Sequence, residues 1–169
     1  MGALVSKDQV QEVKERVAEL NQTAEIVYGS LDQVEVNGAD ASKGAFLSPI
    51  LLLEKEPFKN RAVHNVEAFG PVSTIMPYST TAEAVELSHL GMGSLVASIV
   101  TGDDKIATEF TVEAATHHGR ILILNQDSAV QSTGHGSPLP TLTHGGPGRA
   151  GGGEEMGGMR GVKHYMQRC

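Results

Sequence analysis

The order of capped and apolar segments between residues 72 and 124 most constrains what this chain can fold into. Strands are predicted at residues 72–77, 95–101 and 120–124, and helices at residues 80–90 and 103–118. Thr80 and Asp103 stand at N-cap positions, and the second helix is predicted to carry His117 and His118 in its last turn. Apolar strands that alternate with helices form a parallel sheet joined by right-handed crossovers. The sequence therefore predicts an α/β domain.

The N-terminal part predicts a helix, a short strand and an extended segment. Ser6 stands at an N-cap position, and the apolar residues after it recur at helical spacing, so a helix is predicted over residues 7–20. A β-rich run predicts a strand at residues 24–28. Residues 46–54 predict an extended segment at a sheet edge, because Pro49 lacks the N–H that a central strand uses.

Composition argues against several functional classes. The net charge of −7 and the lack of clustered Lys and Arg argue against nucleic-acid binding, which is built from basic clusters. No apolar run approaches the roughly 18 residues of a membrane span, and no signal peptide is visible, so no membrane association is predicted. A single cysteine cannot form an internal disulfide, which agrees with a reducing compartment. We predict a cytoplasmic protein.

Several residues that suggest chemistry stand in the wrong context. The glycines within residues 146–151 match the letters of a dinucleotide turn, but Pro-rich loop precedes them where a strand is needed, and composition alone predicts a surface loop. His135 and His144 lack a Cys partner or a carboxylate pair at ligand spacing, so no metal site is predicted. Ser94 precedes a strand and is predicted to be a turn residue, and Cys169 is the last residue. No catalytic residue is predicted in the chain.

The segment from Glu67 to Val72 combines a carboxylate, an aromatic ring and a Gly-Pro turn that leads into a strand. A carboxylate in this position can accept hydrogen bonds from both hydroxyls of a ribose, while the ring of Phe69 packs beside a planar heterocycle. The alternative is that Glu67 is a solvated turn residue and Phe69 a core residue. The pattern by itself leaves both interpretations open.

This segment resembles the Glu-x-Phe-Gly-Pro motif of the aldehyde dehydrogenase superfamily. The resemblance implies that Glu67 binds the nicotinamide ribose of NADP or NAD, and that Phe69 lines the nicotinamide site. It also implies the superfamily's catalytic-domain architecture, a three-layer α/β domain with a mainly parallel sheet. The chain then corresponds to the C-terminal part of that domain.

Residues 144–157 are similar to the superfamily's glycine-rich segment Phe-Gly-Gly-x-x-x-Ser-Gly-x-Gly-Arg-Glu-x-Gly. His144 stands in place of the Phe of the aldehyde tunnel, which implies a more polar substrate. Asn125 resembles the superfamily's Asn at the end of a strand, and the loop between these two residues is longer than in common members. The implied substrate-pocket residues are Asn125, His135 and His144. The implied organisation is an α/β body at 1–125 and an active-site loop with the C-terminal segment at 126–169.

Residues 134–155 also resemble the aldehyde dehydrogenase half of bifunctional ring-opening proteins of bacterial phenylacetate degradation. That resemblance implies oxidation of a CoA-linked semialdehyde with NADP preferred, a hydratase domain elsewhere in the parent chain, and a homo-oligomeric parent. The superfamily's nucleophilic Cys, its general-base Glu and its N-terminal cofactor domain precede this segment. We therefore predict that the chain alone is inactive. The alternative is a free-standing α/β binding or assembly module.

Overall fold

The computed structural model of the chain describes residues 2–131, 144–153 and 166. Internal contacts divide the chain into two compact units, unit 1 (residues 1–77) and unit 2 (residues 78–169). This division reflects the density of internal contacts. The predicted boundary after residue 125 instead separates an α/β body from an active-site loop, so the two divisions are not comparable, and the boundary stays a prediction. Within the described residues, no helix combines the length and the apolar character needed to cross a membrane.

Unit 1 begins with the predicted helix, α1 (Lys7–Leu20). Its N-cap is Ser6, whose hydroxyl accepts a hydrogen bond from the Gln9 amide at 3.1 Å, as the capping pattern requires. The apolar stripe is buried in the core of the unit, and each aliphatic side chain of this kind contributes about 1.5–3 kcal/mol when fully buried. The buried residues of the stripe are Val13, Val17 and Leu20.

The sheet of unit 1 has three strands, with β2 in the centre. These strands are β1 (Glu25–Tyr28), β2 (Ile50–Leu53) and β3 (Val72–Ile75). β1 and β2 are antiparallel, and β2 and β3 are parallel. The predicted edge position of the segment around Pro49 is therefore wrong. Pro49 precedes the strand, and the first ladder donor is the Ile50 amide, which bonds to the Pro71 carbonyl at 2.9 Å.

The crossover from β2 to β3 spans residues 54–71 and contains the one-turn helix α2 (Ala62–Asn65). Because the two strands are parallel, the chain must return across the unit to begin β3 beside Ile50. Four partly buried residues of the crossover pack against the core cluster, which fixes its path. They are Ala62, Val63, Val66 and Ala68.

Unit 2 contains two parallel strands and two long helices in the predicted order. The elements are α3 (Thr81–Leu90), β4 (Ser94–Val100), α4 (Asp104–Ala114), β5 (His118–Leu124) and the short α5 (Ser128–Gln131). Thr80 accepts from the Glu83 amide at 3.2 Å, and Asp103 accepts from the Lys105 amide at 2.8 Å, so both predicted N-caps are confirmed. β3 is hydrogen-bonded to β2, whereas β4 is hydrogen-bonded to β5. The three strands predicted between residues 72 and 124 therefore belong to two different sheets. The predicted α/β class is confirmed, and the strands that alternate with helices, β2 with β3 and β4 with β5, are paired in parallel.

The chain between α4 and β5 differs from the prediction. The helix ends at Ala114, a 3-10 turn covers Ala115–His117, and His118 is the first residue of β5. His118 is paired with Ser94 in the parallel ladder, which extends the strand toward its N-terminus. The prediction that His117 and His118 occupy the last helical turn is therefore wrong.

Residues 144–153 form a hairpin, which we call the glycine-rich hairpin. It consists of β6 (His144–Gly145), a 3-10 turn (Gly148–Ala150) and β7 (Gly152–Gly153), with the two strands antiparallel. The Gly146 amide donates to the Gly151 carbonyl at 2.8 Å within it, and the Arg149 amide donates to the Met92 carbonyl at 3.0 Å. The hairpin is thus bonded to the turn that precedes β4.

Candidate functional site

The Glu67–Phe69 segment lies at the end of the crossover in unit 1, immediately before β3. Glu67 is exposed, and 72 % of the Phe69 surface is accessible to solvent. The interpretation of Phe69 as a core residue is therefore wrong. A carboxylate and an aromatic ring that both face solvent, two residues apart, are available to a ligand.

The backbone of this segment is held against α1. The Gln9 side chain donates from Nε2 to the Phe69 carbonyl at 2.9 Å, and its Oε1 accepts from the Val5 amide at 3.0 Å. Gly70 lies so close to α1 that a Cβ there would be 2.8 Å from Cγ2 of Val13. The first two turns of α1 therefore fix the position from which the side chains of Glu67 and Phe69 project.

An open cleft of about 470 Å³ runs along this segment. Its volume is in the range of sites that take part of a cofactor or a small ligand. The wall opposite the segment comes from the residues that lead into α1. The lining residues are Ala3, Leu4, Val5, Gln9 and residues 67–70.

Glu54 anchors the opposite end of the crossover and was not singled out from the sequence. It is 1 % exposed, and its Oε1 accepts from the Glu56 amide at 2.7 Å and from Asn60 Nδ2 at 2.9 Å. Burial raises the pKa of this carboxyl, but hydrogen bonds from Glu56, Asn60 and Thr23 and the charge of His64 outweigh it, so the pKa lies below 4.5. An acidic residue directly after an apolar strand was the only available signal.

His64 provides a second fixed point on the crossover. It is buried in α2, and its Nε2 lies 2.7 Å from the Pro57 carbonyl oxygen. Together with the Glu54 bonds, this contact ties the turn after β2 to the helix that leads to Glu67. These hydrogen bonds hold the crossover that carries the exposed pair at residues 67 and 69.

Asn125 directly follows β5 in unit 2, as predicted for a residue at the carboxyl end of a strand. Its side-chain oxygen accepts from the Ser128 amide at 2.8 Å, and its own amide donates to Ser128 Oγ at 2.8 Å. The oxygen of the side chain is therefore engaged in the turn that begins α5. A ligand at Asn125 would meet the side-chain NH₂ group.

The backbone of His144 begins the glycine-rich hairpin, and His135 lies outside the described residues. The hairpin packs at the amino end of β5, because a Cβ on Gly119 would be 1.9 Å from the Gly145 carbonyl oxygen. Asn125 is at the opposite end of this strand, which spans about 20 Å. The structure does not bring Asn125 and His144 together, and their assignment to one pocket stays a prediction.

Ser94, predicted to be a turn residue, instead begins β4 and lies in a polar cluster. Its Oγ is 2.6 Å from Nδ1 of the buried His118, while the rings of His89 and His117 stack with centroids 3.7 Å apart. The described residues hold no group of three or more His, Cys, Asp or Glu side chains arranged to bind a metal ion. The pair His117-His118 before a strand was a signal for this cluster.

The sequence profile of the Aldehyde dehydrogenase family matches residues 1–168. The chain belongs to this family. Protein MaoC of Klebsiella aerogenes is 52% identical over 169 residues, covering 99% of this chain and 49% of that protein. The 3,4-dehydroadipyl-CoA semialdehyde dehydrogenase of Aromatoleum evansii is 42% identical over 147 residues, covering 87% of this chain and 28% of that protein. The chain thus spans about half or less of these relatives' lengths.

The fold agrees with the family. The structure of a betaine aldehyde dehydrogenase (betB) from Staphylococcus aureus in complex with NAD+ matches with a TM-score of 0.76 at 21% identity, covering 98% of this chain and 30% of that one. At this identity the likeness concerns the fold alone. Membership of the aldehyde dehydrogenase family over nearly the whole chain does not favour the alternative of a free-standing binding or assembly module.

Proposed function

We propose that this chain is part of an NAD(P)-dependent aldehyde dehydrogenase that oxidises a CoA-linked semialdehyde to the acid in phenylacetate degradation. The substrate class rests on the relative from Aromatoleum evansii, which acts on a CoA-linked semialdehyde according to its name and is 42% identical. The observation that supports the cofactor role best is the exposed Glu67–Phe69 pair, held against α1 at the edge of the cleft. We expect a cytoplasmic, homo-oligomeric parent enzyme.

Glu67 is suited to bind the nicotinamide ribose of NADP or NAD. Its carboxylate is exposed at the cleft, and none of the ion pairs among the described residues uses it. Two carboxylate oxygens can accept hydrogen bonds from the two ribose hydroxyls. The ring of Phe69 offers an apolar surface beside the nicotinamide. When bound, the nicotinamide accepts the hydride released in aldehyde oxidation.

The substrate side is assigned to Asn125, His135 and His144. The NH₂ group of Asn125 is an N–H donor, as are neutral histidine side chains, and such donors suit the carbonyl and phosphate oxygens of a CoA-linked aldehyde. The separation of Asn125 from the hairpin along β5 fits an extended substrate better than a small one. These roles are proposals for the assembled enzyme.

Covalent aldehyde oxidation needs a thiolate, which forms a thiohemiacetal and then a thioester. Cys169 is the only cysteine of the chain and stands at its last position. We therefore assign the nucleophile, the general base and the main cofactor-binding domain to other parts of the parent chain, together with the hydratase domain. Purified alone, the chain is expected to show no aldehyde-dependent reduction of NADP, and turnover by it would overturn this assignment.

A chimera tests the proposal. The segment of the Aromatoleum evansii enzyme that aligns with this chain is replaced by this chain, and oxidation of 3,4-dehydroadipyl-CoA semialdehyde is measured with NADP and NAD. We expect an active chimera in which Glu67→Gln raises the KM for the cofactor about tenfold or more, since a hydrogen bond to a charged group contributes about 1.5–3 kcal/mol. Glu109→Gln, on the exposed face of α4, is the matched control and should change nothing. Equal effects of the two substitutions would refute the role of Glu67.

A further inference from the structure

Three imidazoles meet in unit 2 where α3, the 3-10 turn and β5 come together. The rings of His89 and His117 are stacked at an interplanar angle of 20°, and His118 is 9 % exposed. The ring of His118 lies 6.5 Å from that of Phe110 on α4, and its Nδ1 contacts Ser94 on β4. The proposed function uses none of these side chains.

The hydrogen bonds favour one tautomer of His118. Its Nε2 is buried and has no partner among the described residues. A buried N–H without an acceptor is costly, so the neutral ring carries its proton on Nδ1 and donates to Ser94 Oγ. The Ser94 hydroxyl then donates to the Val96 carbonyl at 3.3 Å. These two successive hydrogen bonds link β5 to β4, and Nε2 of His118 is left as an acceptor without a hydrogen-bond partner among the described residues.

The amino ends of β4 and β5, where Ser94 and His118 lie, also form the surface that contacts the glycine-rich hairpin. A Cβ on Gly146 would be 2.3 Å from the Ser94 carbonyl oxygen, and one on Gly119 would be 1.9 Å from the Gly145 carbonyl oxygen. The backbone of the hairpin therefore touches Ser94 itself and the residue that follows His118. A shift of a few tenths of an ångström between the strand ends would change this contact.

We propose that His118 is a positioning residue for the glycine-rich hairpin, acting through its bond to Ser94. The proposal rests on the proposed function, in which the hairpin carries His144 at the substrate side. The neutral ring is the form that fits this packing, because a second proton would reside on the buried Nε2, where the described residues supply no acceptor for a charged N–H.

The surroundings of His118 oppose its protonation from several elements. Burial lowers the pKa of His118, and so do the charges of His89 on α3 and His117 on the 3-10 turn, while β4 presents the hydroxyl of Ser94 and α4 the ring of Phe110. Because the hairpin covers the strand ends at Ser94 and Gly119, its release would expose the ring of His118, and the pKa would return toward the ordinary value of 6.5. The protonated ring therefore favours the undocked hairpin. Docking is therefore weakened as the pH falls below that value.

Amide hydrogen exchange of the 169-residue chain, measured by NMR between pH 7.5 and 5.0, tests the proposal. The reporter is the Arg149 amide, which bonds to Met92, with exchange expressed as a protection factor so that the intrinsic pH dependence cancels. We expect protection to fall by up to about tenfold per pH unit below 6.5, until the pKa of the docked state is reached.

Two variants separate positioning from simple packing. His118→Asn keeps an N–H that can reach Ser94 and does not ionise, so it should retain protection at pH 7.5 and flatten the pH profile. Ser94→Ala leaves the ring able to titrate but removes the link, so it should lower protection of Arg149 already at pH 7.5. A profile in His118→Asn that matches the unaltered chain, or unchanged protection in Ser94→Ala, would overturn the proposal. Amide exchange needs no turnover, so this failure is distinct from an inactive chimera.

Discussion

Replacing Gly70 with alanine places a methyl group against the core of unit 1, directly beside the proposed cofactor-binding pair. The new Cβ would lie 2.8 Å and 3.1 Å from the two Cγ atoms of the buried Val13, closer than carbon atoms approach without repulsion. Overpacking of this kind costs about 1–3 kcal/mol, while the loss of glycine flexibility in the unfolded chain returns about 0.4–1 kcal/mol. We therefore expect Gly70→Ala to lower the free energy of unfolding by about 1–2 kcal/mol.

Urea unfolding followed by circular dichroism measures this change. Gly102→Ala is the matched control, because a Cβ on Gly102 meets nothing within 4 Å. Val13→Ala removes both Cγ atoms, so the double variant should show a favourable coupling of about 1–2 kcal/mol. In the chimera, Gly70→Ala should also raise the KM for the cofactor more than it changes kcat. A Gly70→Ala chain as stable as the control, or strict additivity with Val13→Ala, would show that the contact with α1 does not position the segment.

Two further predictions concern the hairpin and the crossover. Gly119→Ala should destabilise unit 2 by about 2–4 kcal/mol and abolish exchange protection of the Arg149 amide, since the methyl group meets backbone atoms only; equal stability of Gly119→Ala and Gly102→Ala would contradict this. Glu54→Gln should cost roughly 1–3 kcal/mol at pH 7. Because the folded pKa of Glu54 is depressed, its contribution is present above 4.5 and lost as the pH falls below that value, so acid unfolding of the variant should show a weaker pH dependence there.

The elements with strong local signals were predictable. α1 has both of its predicted ends, and the side chains of Thr80 and Asp103 cap α3 and α4, because a polar residue before a helical apolar pattern satisfies the exposed amides locally. The central position of β2 was not predictable from Pro49, since the restriction on proline applies within the ladder and not to the residue before it. Strand order depends on partners distant in sequence, which a local pattern does not identify.

The sequence singles out Glu67 and Phe69 because their spacing before a Gly-Pro turn resembles a family motif. The structure leaves both residues exposed, and their role at a cofactor site stays a prediction. The support provided by Glu54 and the cluster around His118 could not be found in this way, because each depends on burial and on hydrogen bonds across the fold. The glycine-rich composition of residues 144–153 predicts a surface loop, because composition does not reveal the backbone contacts that form the hairpin.

The glycine-rich hairpin meets its unit through main-chain atoms. At Gly119 and Gly146 the neighbouring carbonyl oxygens occupy the space in which a side chain would begin, and the bond from Arg149 to Met92 also joins two backbones. The attachment therefore depends on the absence of side chains at Gly119 and Gly146 and not on the chemistry of a side chain there. Any substitution at either glycine would displace the hairpin, whatever the chemistry of the new side chain.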